Sequence, residues 1–263
     1  MKLKLRLLYK ISCIILLFFY GLIIAGVIFP ALHLVCSINK AKSKQDGLKT
    51  HWLKIFSAIM NLSIIREGEL PIDSALLVSN HISWLDIIVI GQYLPVYFVA
   101  KSDISSWPII GYLSRQGGTI FIRRGNKKSI KATTEKMIWV LKQRSNIVAF
   151  PEGTTTSGNE VLGFHASLFQ PALLTKSVIQ PLVIQYVGPA KEQAPFIGEE
   201  DFVRHLIKML CLDKIEVRLC FLPLIKSSGK DRHAVSMEAR EKICEKISES
   251  SSKNKIEFNY LAF

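Results

Sequence analysis

His81 and Asp86 stand five positions apart in the run Asn80-His81-Ile82-Ser83-Trp84-Leu85-Asp86, and side chains of these two types can move a proton. An imidazole takes a proton near neutral pH, and a carboxylate beside it fixes its tautomer and stabilises the imidazolium that forms. On one continuous helix a five-residue step turns about 500°, which sends the two side chains to different faces. The pair therefore predicts a change of backbone conformation, with His81 ahead of a helix and Asp86 in its first turn. Ser83-x-x-Asp86 fits a capping box in which Ser83 is the N-cap and Asp86 reaches back to it. The same residues allow a plainer role, in which Asp86 only caps a helix and His81 is structural.

A second run, Phe150-Pro151-Glu152-Gly153-Thr154, follows at a domain-scale distance. Asn146 to Phe150 reads as a buried strand that Pro151 ends, so Glu152 to Gly158 forms a turn at a strand's C-terminal edge. Open α/β sheets bind ligands at such edges. Glycine lets backbone approach a substrate, and hydroxyls with free amides suit a phosphate or a developing oxyanion. Taken alone, the run reads first as an ordinary polar turn.

Both runs in this order resemble the glycerolipid acyltransferase family that includes the 1-acyl-glycerol-3-phosphate acyltransferases, with four blocks between about Leu76 and Val187. His81-x4-Asp86 matches the first block. Gly117-Gly118-Thr119-Ile120-Phe121-Ile122-Arg123-Arg124 is similar to the second, whose arginine helps to hold the acceptor's phosphate. Glu152-Gly153-Thr154 matches the third, and Val178-Ile179-Gln180-Pro181-Leu182-Val183 the fourth. Lys101 and Trp107-Pro108-Ile109-Ile110-Gly111 fall where the family often has a lysine near the phosphate site and a Trp-Pro turn. The resemblance implies direct acyl transfer, with His81 and Asp86 catalytic and Lys101, Arg123, Arg124, Glu152, Gly153 and Thr154 binding substrate. It implies acyl-CoA or acyl carrier protein as donor, no cofactor, and 1-acyl-glycerol-3-phosphate as acceptor, giving phosphatidic acid. Two positions depart from the pattern. Thr155 stands where many members specific for lysophosphatidic acid have arginine, and His165 where a lysine commonly follows Phe. Loss of a guanidinium removes a bidentate phosphate partner, which keeps lyso-ornithine lipid and lysophosphatidylcholine or -ethanolamine open as acceptors.

Positioning these residues requires a sheet. Apolar runs at Ala75 to Ser79, Val96 to Ala100, Gly118 to Ile122, Ile147 to Phe150, Ile179 to Gln185 and Ile215 to Leu222 alternate with helical stretches. That alternation predicts an α/β fold, a mixed and largely parallel sheet flanked by helices. Ser129 to Arg144 and Ser236 to Ser250 read as amphipathic surface helices, the second followed by a polar, mobile tail. The chain divides into an N-terminal anchor with an interfacial helix, 1–64, and a catalytic domain, 65–263.

From Ile11 to Cys36 the chain has 26 residues without Lys, Arg, Asp or Glu, and at about 1.5 Å each they exceed the roughly 30 Å hydrocarbon thickness. The segment is long for a cleaved signal peptide and lacks a small-x-small site after it. Lysines flank it on both sides, so the charge bias selects neither orientation. A re-entrant anchor, bent near Gly26 or Pro30 with both ends cytoplasmic, satisfies that symmetry. Leu48 to Ile64 repeats Leu48, Trp52, Ile55, Phe56 and Ile59 at near-helical spacing, which predicts an interfacial helix with its apolar side in lipid or packed on the enzyme's own core.

The net charge of +13 clusters beside these apolar segments without any nucleic-acid motif, so anionic lipid and phosphorylated substrates are the partners it suggests, and not nucleic acid; the resemblance implies membrane phospholipids and a lysophospholipid acceptor. The five cysteines have no Cys-x-x-Cys pairing, which fits a reduced cytoplasmic face, such as that of a bacterial inner membrane. The histidines have no metal-ligand spacing, so no metal is expected. A serine hydrolase also uses His and Asp but needs a Gly-x-Ser-x-Gly elbow, and the chain has none. A catalytically silent membrane-binding protein would keep the anchor without needing His81, Asp86 and Glu152 together.

Overall fold

Six apolar runs and one half-polar run pair into a seven-stranded sheet in the computed structural model, which describes residues 2–72, 74–123 and 127–260. The strands are β1 Leu62–Glu67, β2 Ala75–Ser79, β3 Val96–Lys101, β4 Ile120–Ile122, β5 Asn146–Ala149, β6 Val178–Val187 and β7 Ile215–Phe221. Their order is β1-β7-β6-β2-β5-β3-β4. The block from β6 to β4 is parallel throughout, β7 runs antiparallel to β6, and β1 lies parallel to β7. The sheet is thus mixed and largely parallel. Leu62, Ser63 and Ile64, expected to close the interfacial helix, are strand residues at the sheet's edge instead, because Asn61 in a left-handed conformation ends that helix at Met60.

The helices are α1 Lys2–Ile23, α2 Phe29–Val35, α3 Ile38–Met60, α4 Leu85–Gly91, α5 Ile110–Gln116, α6 Lys127–Lys142, α7 Gln170–Thr175, α8 Ala190–Gln193, α9 Phe202–Cys211 and α10 Arg232–Tyr260. Alternate strand residues separate two packed layers, as the two-residue side-chain period requires. Leu77, Leu182, Ile184, Tyr186, Val217 and Leu219 face α1, α3, α4 and α9. Leu76, Val78, Ile147, Ala149 and Ile179 face α6, α7 and α10. Each large apolar side chain removed from water in these layers contributes roughly 2 kcal/mol. The last helix continues through residues expected to form a mobile tail.

The N-terminal apolar stretch, Lys4–Val35, is long and apolar enough to cross a membrane. The chain does not reverse at Gly26 or Pro30, both of which lie within helical turns. A π-helical turn, Ile24–Ile28, widens the helix ahead of Pro30, and Pro30 then sits at the start of α2, where its missing N–H is tolerated. The reversal comes at Cys36 and Ser37, both extended, and α3 returns against α1 and α2. At the other end of α1, Arg6 donates to Cys211 O at 2.8 Å and pairs with Asp213, while Lys10 donates to Leu212 O at 3.1 Å. Near the start of α3, Lys42 donates to Gln143 O at 3.4 Å. The hairpin therefore lies along one face of the sheet. The apolar side of α3, with Phe56 and Met60 buried, packs on the enzyme's own core instead of facing lipid. Leu5, Leu8, Ile15, Phe19, Ile23 and Val27 of the α1 stretch are exposed at helical spacing. Exposed apolar stripes of this kind occur at protein–protein and membrane interaction surfaces.

Candidate active site

The buried Asn80 sets where the chain leaves β2. Its amide nitrogen donates to Ile184 O at 2.9 Å and its oxygen accepts from Ile184 N at 2.9 Å. A side chain thus completes the ladder that β2 would otherwise extend, and His81 begins just beyond the strand's C-terminal edge.

His81 Nδ1 lies 2.8 Å from Asp86 Oδ2, and the imidazole stacks on Phe150 with ring centroids 3.9 Å apart at 14°. A carboxylate accepts, so Nδ1 carries the proton and Nε2 keeps the lone pair. The His81 side chain is 20% exposed and that of Asp86 fully buried. Asp86 stands in the first turn of α4, and its Oδ2 also accepts from Ile82 N at 2.8 Å and Ser83 N at 3.0 Å. Only half of the expected capping box forms. Asp86 reaches the Ser83 amide, but Trp84 occupies the N-cap position, and Ser83 Oγ is buried without a hydrogen-bond partner among the described residues. The amide that a serine cap would serve, Asp86 N, donates instead to Ser83 O at 3.0 Å. From β6, the Tyr186 hydroxyl donates to Asp86 Oδ1 at 2.8 Å. Burial first, then the neighbouring carboxylate, hold the Tyr186 phenol well above its ordinary value, so it remains a donor.

The second motif turns after β5, the strand beside β2. Glu152 is buried, and both of its oxygens are taken by main chain: Oε1 accepts from His81 N and Oε2 from Leu162 N, each at 2.8 Å. Burial raises its carboxyl above the usual value, and the two amides pull against that rise. Gly153 follows at φ +75°, a left-handed conformation that favours glycine. Thr154 is exposed. Thr155 donates to Phe196 O, and Phe196 N donates to Ile82 O at 2.9 Å. Thr156 N donates to His81 O at 2.8 Å. The two motifs are thereby fastened into one unit at the centre of the parallel strands.

His81, Asp86, Glu152 and Gly153 come together in this unit. Lys101 and Arg123 lie on the same sheet edge but farther along it. Lys101 ends β3 and Arg123 follows β4, two and three strands from β2. At about 4.8 Å per strand the offsets are roughly 10 and 14 Å. Both are exposed, and the Arg123 amide donates to Ser129 Oγ at 2.9 Å. Arg124 lies outside the described residues. Sequence reasoning missed Tyr186 and Asn80. The only signal for Tyr186 was a hydroxyl on a residue whose alternation with Leu182 and Ile184 marked it as inward-facing.

An apolar cavity of about 250 Å³ opens beside α4, between the hairpin and α5, with Phe18, Trp52, Phe56, Trp84, Ile88 and Phe98 in its wall. Trp84 is fixed there by its indole, which donates to Nδ1 of the buried His205 at 2.9 Å, while His205 Nε2 lies 3.2 Å from Gln193 O. Burial lowers the His205 pKa and keeps the ring neutral, as this acceptor role requires.

Residues 63–185 match the family model described as Acyltransferase. The chain is similar to the lyso-ornithine lipid O-acyltransferase of Pseudomonas aeruginosa, 35% identical over 76% of this chain and 78% of that one. It is also similar to the 1-acyl-sn-glycerol-3-phosphate acyltransferase of Neisseria meningitidis, 28% identical over 65% and 68%. Among solved structures, the 1-acyl-sn-glycerophosphate (LPA) acyltransferase PlsC of Thermotoga maritima superposes with a TM-score of 0.70 over 94% of this chain and 98% of that one, at 17% identity.

Proposed function

This chain belongs to the acyltransferase family, and from that premise we propose that it moves a fatty acyl group from a thioester donor to a free hydroxyl of a lysolipid at a membrane surface. The observation that carries the reading is the 2.8 Å contact between His81 Nδ1 and the buried Asp86, which leaves Nε2 to accept a proton. In the reaction, Nε2 takes the acceptor's hydroxyl proton as its oxygen forms a bond to the thioester carbonyl carbon. The tetrahedral intermediate collapses with cleavage of the C–S bond, and the imidazolium returns its proton to the thiolate. Backbone amides of a glycine-containing turn meet the oxyanion, each such donor being worth around 3 kcal/mol when removed singly. The apolar cavity beside Trp84 suits an acyl chain.

For the acceptor, lyso-ornithine lipid has two supports. The relatives that bear that name, from Pseudomonas aeruginosa and Rhizobium meliloti, are 35% and 32% identical to this chain. Thr155 stands where an arginine would face a phosphate, and it is occupied with the Phe196 carbonyl. The exposed Lys101 and Arg123 favour a second reading, 1-acyl-glycerol-3-phosphate. Acyl-CoA or acyl carrier protein serves as donor. The exposed stripe of α1 enters one leaflet and the catalytic body stays on the cytoplasmic face of a bacterial inner membrane, where those donors occur.

The test is acyl transfer by membranes carrying the wild type or His81→Ala, with one labelled acyl-CoA and each lysolipid offered separately. Activity on lyso-ornithine lipid that the variant loses supports the first reading. Activity confined to 1-acyl-glycerol-3-phosphate moves the acceptor to the second. Activity unchanged in His81→Ala overturns the catalytic assignment.

A further inference from the structure

Two cavities approach the catalytic loop from opposite faces of the sheet, and their linings differ in kind. The apolar one, walled by Trp84, lies on the hairpin side. The second, of about 370 Å³, lies on the α10 side and has Ile82 in its wall with Gln185, Lys191 and Arg218. Gln185 and Arg218 are register partners on β6 and β7. Resting on the transfer reaction above, we infer that this second cavity holds the phosphorylated arm of the thioester donor.

The charge balance of the cavity favours an anion. No carboxylate lies within ion-pair distance of Lys191 or Arg218 among the described residues. Of the acids nearby, Glu216 on β7 reaches the Gly188 edge of the cavity and pairs with Lys214 at 2.7 Å, while Glu67 on β1 pairs with Lys246 at 3.1 Å. A guanidinium presents paired donors to phosphate oxygens, and an ammonium adds a point charge. Gln185 Oε1 is buried without a partner among the described residues, an acceptor waiting for the amide or hydroxyl hydrogen that such an arm also carries.

The cavity is built into the catalytic loop. Gly158 N donates to Thr156 Oγ1 at 3.2 Å, and Thr156 N donates to His81 O at 2.8 Å. Gly158 has φ +79°, a left-handed conformation that favours glycine, and a Cβ there would come within 2.6 Å of Ile82 Cδ1, so the wall packs closely on the residue next to His81.

An acyl thioester has an apolar chain on one side of its carbonyl and a phosphorylated, water-soluble arm on the other. The two cavities offer that same division on either side of the loop that carries Ile82 and Trp84. The geometry also separates the two substrates. The lipid-facing stripe of α1 lies on the hairpin side, where a lysolipid arrives. The cationic cavity opens on the opposite side, where a soluble donor arrives.

The test compares binding of 4′-phosphopantetheine and of pantetheine, its dephosphorylated form, to the full-length protein in detergent, for wild type, Arg218→Gln, Lys191→Gln, the double variant and Arg218→Lys. Wild type binds the phosphorylated compound at least tenfold tighter, the double variant binds both alike, and Arg218→Lys keeps part of the preference. In steady-state assays the double variant raises KM for acyl-CoA about tenfold and leaves KM for the lysolipid within twofold. No phosphate preference in wild type overturns the inference, as does a double variant that raises the lysolipid KM instead, which assigns the cavity to the acceptor's headgroup. A wild type that binds 4′-phosphopantetheine but acylates no lysolipid sinks the transfer reading and leaves the site standing.

Discussion

Tyr186 donates its phenolic hydrogen to Asp86 Oδ1 at 2.8 Å across 100 positions of sequence, so the carboxylate that orients His81 is itself held from the central sheet. Asp86 is buried, and its Oδ2 serves His81 and two main-chain amides. Removing the phenol oxygen in Tyr186→Phe leaves a buried carboxylate oxygen short of a donor, a loss of about 1–3 kcal/mol. We expect kcat to fall about tenfold, with both substrate KM values unchanged, because the residue acts through Asp86 and not on substrate. Asp86→Asn should lose far more, about 10³- to 10⁴-fold in kcat, since an amide stabilises the imidazolium poorly and can present a donor to Nδ1. Steady-state kinetics of the two variants check the ranking, and a raised acceptor KM in Tyr186→Phe would refute the positioning role.

Glu152 braces the two motif loops rather than presenting a free carboxylate. Its burial raises the carboxyl above the ordinary 4.5, while the amides of Leu162 and His81 lower it in part. A carboxyl raised in the folded state favours folding below its unfolded value, and that contribution is lost as pH rises through the folded value. Glu152→Gln removes this pH-dependent slope. It also puts an NH2 against one of two N–H donors, and we expect the variant to be about 1–3 kcal/mol less stable at neutral pH. Thermal unfolding across about pH 4 to 7 measures both effects. Activity should fall through kcat as His81 loses its brace, and a selective rise in acceptor KM at unchanged Tm would instead put Glu152 in contact with substrate.

The dyad was legible because it is local: a histidine just past an apolar run and an aspartate in the first turn of the next helix. Pro151 made the second turn legible in the same way. Six strands were readable as apolar runs bounded by polar, proline or glycine residues. β1 was not, because an edge strand with one neighbour buries little, and its exposed Arg66 and Glu67 come directly after a helical pattern. The start of α3 at Ile38 was hidden by a lysine-rich stretch with a weak apolar face. Tyr186 escaped because strand alternation identifies which face a residue takes and not which distant carboxylate its hydroxyl meets. The hairpin's turn was misplaced because Pro30 reads as a breaker, whereas the wide turn before it accommodates the ring.

Lys101 and Arg123 are expected to discriminate between acceptors. Both are exposed on the sheet edge that carries His81, roughly 10 and 14 Å from β2. Lys101→Ala and Arg123→Ala should each raise KM for 1-acyl-glycerol-3-phosphate about three- to tenfold, with kcat little changed, since a solvated cation near a phosphate contributes about 1 kcal/mol. With lyso-ornithine lipid, which lacks that phosphate, the same variants should behave as wild type. Equal effects on both acceptors would mean that the two cations serve the membrane surface and not the headgroup.

His205 is expected to link pH to the apolar cavity through its hydrogen bond from Trp84. Burial lowers its pKa from 6.5, the Glu200 carboxylate at 4.0 Å works against that, and Lys208 works with it. A histidine lowered in the folded state contributes stability above its unfolded pKa, and this is lost as pH falls through the folded value. Protonation also converts Nδ1 from acceptor to donor, which breaks the bond from the Trp84 indole. Wild type should therefore lose stability on acidification below about pH 6.5, with a concurrent change in tryptophan fluorescence. His205→Gln, which does not titrate, should flatten both curves, while a fluorescence change that persists in that variant would locate the pH response elsewhere. His205→Ala should be less stable by about 2–4 kcal/mol at neutral pH, combining an emptied buried site with an unpaired indole N–H. Because Trp84 walls the cavity, long-chain donors should lose more activity than short ones in His205→Ala, and equal losses across chain lengths would separate this histidine from acyl-chain binding.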